Sequence, residues 1–266
     1  MKLKSAVRFY IKDFTRPVII FYGVLVALFI IQLIIVSLLH ESDATGGMGP
    51  AATIFLFVVG LNAFKAQFRL FLQNGLSRKT LYAGFVMGIL VLSAALTVID
   101  FAFGRFQGLF LRYVSAFMDR FGSLYANGNS LSAIADGLLW TFLSYLSAGM
   151  LGFFLTSLYY RMNKALKLTV SVGVPVLFTI IIPLIDSLYT NGTITAFFLN
   201  IAAFAFGYGI TLDASHGLLA GVMQQFFDME NGVALYPYRA MLFSAICATV
   251  TALISFLLIR RATVKE

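Results

Sequence analysis

The residue types that most often carry catalysis or bind metals are scarce in this chain. It has two histidines, His40 and His216, which lie 176 residues apart, and a single cysteine, Cys247. These counts exclude a histidine-based zinc motif and a disulfide framework. The glycine-rich loop and lysine that cradle ATP phosphates are also missing from the sequence. The sequence therefore predicts neither an active site of its own nor a cofactor.

The acidic residues at the edges of the apolar runs are the next candidates for chemistry. Ion-coupled transporters place carboxylates at membrane depth, because those groups bind the coupling ion. Here Asp100, Asp136 and Asp186 fall at the ends of apolar runs, where each carboxylate can reach water and mark the outer boundary. This placement favours transport that is energised from elsewhere.

A few uncharged polar residues lie inside the apolar runs. They could line a pathway for a substrate, or they could bond to neighbouring helices, as such residues commonly do within membranes. The candidates for a pathway are Gln32, Asn62, Ser144 and Thr179.

The composition shows which elements must position these residues. Of the 266 residues, 60% are hydrophobic and only 11% are charged, whereas soluble domains carry about a quarter charged residues. A mean hydropathy of +0.92 is typical of a chain that passes through the bilayer several times. The net charge of +8 follows from membrane topology, so nucleic acid is not a predicted partner.

Long uncharged runs predict the membrane spans, since a helix needs about 20 apolar residues to cross the hydrocarbon core. Seven runs are long enough, but the run 187–212 is interrupted by Asn191, Gly192 and Asn200 and has no basic flank. Treating it as non-spanning leaves fifteen of the nineteen bases on one side, which the positive-inside rule assigns to the cytoplasm. We therefore predict an all-α, multi-pass protein of the cell membrane with both termini cytoplasmic. Its six transmembrane helices are predicted at about 17–39, 46–64, 80–100, 137–160, 168–186 and 240–259.

Three further segments complete this single predicted domain, 1–266. Residues 3–14 interleave apolar side chains with bases and predict an N-terminal interfacial helix, or alternatively only the basic flank of the first span. The segment 187–239 is poor in bases and predicts extracellular re-entrant helices between spans five and six. The outer segment 101–135 has an amphipathic pattern.

Aromatic residues in that outer segment recur at helical spacing and predict one stripe on one helix. The stripe could pack on lipid or on a neighbouring span, as an interfacial helix or an extension of span three. It could also form a dimer contact or a lid over an exit for an amphipathic substrate. Its members are Phe103, Phe106, Phe110, Tyr113, Phe117 and Phe121.

The loop between spans two and three predicts a short helix, a sharp turn and a new helix. Phe68, Phe71 and Leu72 recur at helical spacing. Asn74-Gly75 predicts a helix stop and Ser77 a cap for the third span. The loop could be purely structural. However, a loop that only turns would not need two exposed phenylalanines, so we expect both to be exposed for contact with a partner.

The order of these elements resembles the permease subunit of type-two ABC exporters, the fold shared with ABCG transporters. Members have a basic interfacial helix, six spans, a cytoplasmic coupling helix between spans two and three, and outer re-entrant helices between spans five and six. The phrase from Asn74 to Thr80, NGLSRKT, is similar to that of many bacterial members. The longer, aromatic-rich segment 101–135 departs from the family pattern.

The resemblance implies a permease that is not itself an enzyme and works with two copies of a separate ABC ATPase and a second permease chain, identical or similar. It makes 65–75 the coupling helix. It implies ATPase coupling by Phe68, Arg69, Phe71, Leu72, Asn74, Gly75, Ser77 and Arg78, with a second cytoplasmic contact at Arg161, Lys164 and Lys167.

The substrate and two other functions stay open at this level. The aromatic outer stripe favours amphipathic or hydrophobic substrates, such as antimicrobial or cytolytic peptides. One alternative is a secondary transporter or channel that needs no ATPase, against which the missing membrane-depth charges count. Another is a membrane protein without transport activity, such as an assembly factor.

Overall fold

The protein is described from a computed structural model, which covers residues 2–39, 49–111, 113–190, 192–209 and 234–260. These residues form helices joined by short turns, and their only β-type pairing is an isolated bridge between Tyr208 and Leu235. The helices are α1 (Lys2–Leu39), α2 (Gly49–Asn62), α3 (Lys65–Gln73), α4 (Arg78–Gln107), α5 (Ala116–Phe121), α6 (Leu131–Arg161), α7 (Lys164–Thr190), α8 (Thr193–Ala205) and α9 (Pro237–Arg260).

Within the described residues, six helical segments are long and apolar enough to cross a membrane. The prediction of an all-α chain with six such helices is confirmed. The segments are Leu3–Leu38, Gly49–Gln73, Arg78–Gln107, Leu131–Arg161, Lys164–Thr190 and Pro237–Arg260. The second of them joins α2 and α3 across a bend at Ala63 and Phe64.

The chain, predicted as one domain, divides into two compact units. The first unit comprises Met1–Tyr160 and Ala245–Glu266, and the second comprises Arg161–Ser244.

Side-chain contacts fix the helix directions in the first unit. Along α1, Phe9, Asp13 and Phe21 meet successively earlier residues of α3 and α2, so this pair is antiparallel. The pairs are Phe9–Phe71, Asp13–Gln67 and Phe21–Phe55. By contrast, Ala6 lies beside Gly84 and Phe29 beside Phe103, so α1 and α4 are parallel.

Helices α6 and α9 pack against α4. Phe85 stacks on Phe153 of α6, with ring centroids 3.8 Å apart. At the start of α4, the Arg78 guanidinium donates to the Arg260 carbonyl oxygen, at the end of α9. The starts of α1 and α4 and the ends of α3 and α9 therefore share one end of the unit, which we call the basic end. Its bases are Lys4, Arg8, Lys12, Arg69, Arg78, Lys79 and Arg260.

The N-terminal segment differs from its prediction as a separate interfacial helix. Residues 3–14 continue through Pro17 into the first span as one helix, and they run lengthwise along the first half of α4. Ala6, Tyr10 and Phe14, four residues apart, are buried. Gly84 and Gly88 admit them, because a Cβ at these positions would lie 2.9 Å from Ala6 Cβ and 3.0 Å from Tyr10 Cβ. The buried apolar side chains of this segment thus pack against the glycines of α4.

The single aromatic helix predicted across 103–121 is also wrong. Helix α4 extends to Gln107, and α5 begins anew after Ser115, whose hydroxyl accepts a hydrogen bond from the Met118 amide at 3.2 Å. The stripe is divided between two clusters, because the chain turns between these helices. Phe103, Phe106 and Phe110 surround Phe29 of α1, whereas Phe117 and Phe121 pack on Trp140 of α6.

In the second unit, α7 alternates α-helical and wider π-helical turns. Pro175 and Pro183 lie in the α-helical turns between them. A proline removes a backbone donor, and π-helical adjustments in membranes re-satisfy the freed carbonyl groups. Of the predicted re-entrant segment 187–239, the structure describes the end of α7, residues 192–209 with α8, and residues 234–239 at the start of α9. Residues 191 and 210–233 lie outside the described part.

Candidate functional site

The turn between α3 and α4 has the stop and the cap that the sequence predicts. Gly75 has a φ of +67°, and its amide donates to the Leu72 carbonyl oxygen at 3.0 Å. The Leu76 amide donates to the Phe71 carbonyl oxygen at 2.9 Å, which completes a Schellman motif. The Ser77 hydroxyl then accepts from the Thr80 amide at 3.1 Å and caps α4. Two helix ends are thereby fixed at the basic end of the first unit.

The expectation that Phe68 and Phe71 are exposed is wrong. Phe68 is 0% and Phe71 is 2% exposed. Phe68 packs on Phe64 and Tyr160, with centroids 4.9 and 5.6 Å apart. Phe71 stacks on Tyr10 at 5.7 Å. The helical spacing that suggested a docking ridge instead directs both rings into the core, because α1 and α6 flank α3.

The opposite face of α3 is the one open to a partner. Arg69, Leu70, Gln73 and Asn74 are exposed, Leu70 by 42%, while Leu72 is half-buried against the core. In the turn, Gly75 and Ser77 are exposed and Arg78 is half-buried. Of the predicted coupling residues, Phe68, Phe71 and Leu72 thus pack α3 against the core. Arg69 on α3, Asn74 at its end and Ser77 in the turn are accessible to a partner.

The second predicted cytoplasmic contact lies at the start of α7, in the second unit. Asn163 caps this helix by accepting a hydrogen bond from the Leu166 amide at 2.8 Å. Arg161, Lys164 and Lys167 are all exposed around this cap.

Of the four predicted pathway residues, Gln32, Asn62 and Ser144 belong to the first unit and Thr179 to the second. Thr179 donates to the Pro175 carbonyl oxygen and Asn62 to the Val58 carbonyl oxygen, so both bond within their own helices. Because α1 and α2 are antiparallel and Phe21 pairs with Phe55, Asn62 of α2 lies level with position 14 of α1. Gln32 is 18 residues further along α1, which is about 27 Å at 1.5 Å per residue. Ser144 lies half-buried on α6.

Asp100 forms a polar site that the sequence interpretation missed. The hydroxyl groups of Tyr22 on α1 and Tyr145 on α6 each donate to one oxygen of its carboxylate. Within the described part of the chain no lysine or arginine pairs with this carboxylate. Asp100 therefore joins three helices of the first unit. The presence of Tyr22 and Tyr145 within apolar runs could have indicated this site in the sequence, since the hydroxyl of a buried tyrosine needs a hydrogen-bond partner.

A third tyrosine lies near this carboxylate. Burial raises the pKa of the Tyr113 hydroxyl, and the charge of Asp100 raises it further. Tyr113 therefore stays neutral at physiological pH.

Replacing Tyr145 by phenylalanine tests this cluster. We expect the free energy of unfolding to fall by about 1.5–3 kcal/mol, the usual contribution of a hydrogen bond to a charged group. Thermal unfolding of the purified protein in detergent measures the change. The control is Tyr189→Phe, because Tyr189 is 81% exposed. If the losses in the free energy of unfolding caused by Tyr145→Phe and by Asp100→Asn are additive in the double variant, the hydrogen bond between the two residues is contradicted.

Asp186, expected only to mark the outer boundary, has a structural role. Its carboxylate oxygens accept from the amides of Ile194 at 2.9 Å and Thr195 at 2.7 Å. These are free amides in the first turn of α8, where a carboxylate also complements the helix dipole. Asp186 thereby closes the tight connection from α7 to α8, in which Gly192 has a φ of +91°.

The carboxylates of Asp100 and Asp186 thus differ in their hydrogen-bond donors. The carboxylate of Asp186 accepts from two backbone amides, whereas that of Asp100 accepts from two tyrosine hydroxyl groups. No family model, characterised protein or solved structure matches the chain. Its function must therefore be inferred from these sites. Within the described residues, no group of three or more His, Cys, Asp or Glu side chains could hold a metal ion.

Proposed function

We propose that this chain is the transmembrane subunit of an ATP-driven exporter whose ATP is hydrolysed by a separate subunit. The main support for this proposal is the arrangement of α3, the following turn and the start of α4 at the basic end. Its backbone is fixed by a Schellman motif and a serine cap, and its outer face presents Arg69, Leu70, Gln73 and Asn74. A rigid helix that is anchored in the core can transmit the movement of a docked ATPase to α1, α4 and α6.

The basic end is cytoplasmic in this proposal, since bases favour the inner side of the cell membrane. The transport unit holds two ATPases and two permease chains, identical or similar, because closed twofold symmetry is the usual arrangement of such assemblies. The substrate class is amphipathic or hydrophobic, such as antimicrobial or cytolytic peptides. The aromatic clusters around Phe29 and Trp140 support this choice.

The second candidate is an ion-coupled transporter, and Asp100 is the observation that favours it. A shielded carboxylate between three helices is the type of group that binds a coupling proton or cation. The two proposals differ in energy source. Uptake into inverted vesicles that requires ATP supports the first, whereas uptake driven by an imposed proton or sodium gradient without ATP supports the second.

The docking face is tested by Leu70→Glu. A buried leucine contributes about 1.5–3 kcal/mol to a contact, so we expect at least about a tenfold loss of ATPase binding. Arg69→Ala is expected to be milder, since an exposed ion pair contributes about 0–1 kcal/mol. The tagged chain is purified from its own cells, and the co-purifying ATPase is identified by mass spectrometry and by ATP hydrolysis.

The matched control is Leu3→Glu, because Leu3 is 46% exposed on α1 and receives the same substitution. This variant is expected to retain the ATPase, and both variants are expected to insert and unfold like the unmodified chain. Recovery of equal amounts of ATPase with Leu70→Glu and with the control would exclude docking on α3. Recovery of no nucleotide hydrolase with the unmodified chain would refute the proposed function itself.

A further inference from the structure

A cleft at the basic end of the first unit combines an apolar floor with a basic rim. It lies between the start of α4 and the end of α9 and has a volume of about 260 Å³. Phe256 and Ile259 form the apolar part. The rest of the lining is Ser77, Arg78, Lys79 and Arg260.

Among the residues that the structure describes, the basic rim has no acidic partner. Arg78 donates one hydrogen bond to the Arg260 carbonyl oxygen at 3.0 Å and so holds the two sides of the cleft together. Lys79 and Arg260 are exposed, and neither side chain has an acidic partner within the described residues. The first turn of α4 contains no acidic residue. Three positive charges therefore converge on one small cleft.

We propose that this cleft binds the headgroup of an anionic phospholipid. The phosphate would lie between Lys79 and Arg260, and the first carbons of the acyl chains would cover Phe256. Basic pockets between transmembrane helices are suited to anionic headgroups. The size also favours a headgroup over a protein segment, because the cleft is slightly smaller than common small-molecule sites of about 300–1,000 Å³.

The site is independent of the proposed function, because it needs neither an ATPase nor transport. A lipid bound here would bridge α4 and α9 directly beside the Ser77 cap. It would thereby stabilise the same turn that carries the α3 face.

The double variant Lys79→Gln, Arg260→Gln tests the site. Near a membrane surface each base contributes about 1 kcal/mol to the attraction of anionic lipid, so we expect about a 30-fold loss of affinity. The probe is phosphatidylglycerol, which is titrated onto the delipidated chain in neutral detergent and counted by native mass spectrometry. Phosphatidylcholine with the same acyl chains is expected to bind weakly to every variant.

Two further variants separate a specific site from general charge. Lys4→Gln with Lys12→Gln removes the same charge from exposed positions on α1 and is expected to leave the affinity unchanged. Lys79→Arg with Arg260→Lys keeps the charge and is expected to retain binding, even if the glutamine variant folds poorly. Equal losses in the α1 and cleft variants, or equal binding of phosphatidylcholine, would overturn the proposal. Displacement of the lipid by millimolar inorganic phosphate would also overturn it, in favour of a site for soluble phosphate.

Discussion

Replacing Gly152 by alanine is expected to prevent the close packing of α2 and α6 and to cause a large loss of stability for the addition of a single methyl group. A Cβ at this position would lie 2.1 Å from the Phe57 carbonyl oxygen and 2.9 Å from the Leu61 amide nitrogen. At Gly60, on the facing helix, a Cβ would lie 2.2 Å from the Gly149 carbonyl oxygen. These contacts involve backbone atoms, so no side-chain rotation can relieve them.

The two helices would have to move apart along their whole contact. We expect the free energy of unfolding to fall by at least the upper end of the about 1–3 kcal/mol that overpacking usually costs. The yield of monodisperse protein and the midpoint of thermal unfolding measure the loss. Small residues at such contacts allow close van der Waals packing, which is a main source of helix association in membranes.

Gly23→Ala is the matched control. Apart from its chain neighbours and the backbone of its own helix, nothing lies within 4 Å of a Cβ added at Gly23 on α1. The same substitution is therefore expected to leave the unfolding midpoint unchanged or slightly raised. Equal stability of Gly152→Ala and Gly23→Ala would show that α2 and α6 do not approach as closely as described.

Phe71→Ala is expected to destabilise the protein by about 3–5 kcal/mol, the range for removing a buried phenylalanine. Its ring contacts Phe9 at 5.3 Å and Tyr10 at 5.7 Å, and its loss leaves a cavity between α1 and α3. Phe68→Ala is expected to act similarly, because the Phe68 ring is fully buried against Phe64 and Tyr160. Unfolding in detergent, followed by circular dichroism at the helical band, measures both.

The neighbouring residue provides the control for this prediction. Leu70→Ala changes a side chain that is 42% exposed, so it is expected to leave stability nearly unchanged. A Phe71→Ala variant that unfolds like the unmodified chain but no longer binds an ATPase would restore the hypothesis of an exposed docking ridge. A Phe71→Ala variant with a lowered free energy of unfolding would assign Phe71 to the core.

The local signals in the sequence were sufficient at the turn between α3 and α4, where neighbouring residues decide the outcome. Asn74-Gly75 ends α3 because glycine accepts a positive φ, and Ser77 begins α4 because its hydroxyl reaches an unpaired amide two or three residues ahead. The lengths of the apolar runs predicted seven segments that could cross a membrane, because hydrophobicity over about 20 residues is a property of the segment itself. The positions of the bases then reduced the prediction to six.

Only the tertiary structure decided what each helical face contacts. An apolar stripe at helical spacing has the same sequence whether it meets lipid, a partner or its own chain. The packing of α3 between α1 and α6 places Phe68 and Phe71 in the core and leaves Leu70 outside. Asp100 likewise has its role fixed by Tyr22 and Tyr145, which are 78 and 45 residues away. The sequence by itself thus determined the long apolar helices and the turn at the basic end. The pairing of helices, set by glycine contacts and aromatic packing far apart in the chain, decided which residues remain available to a partner.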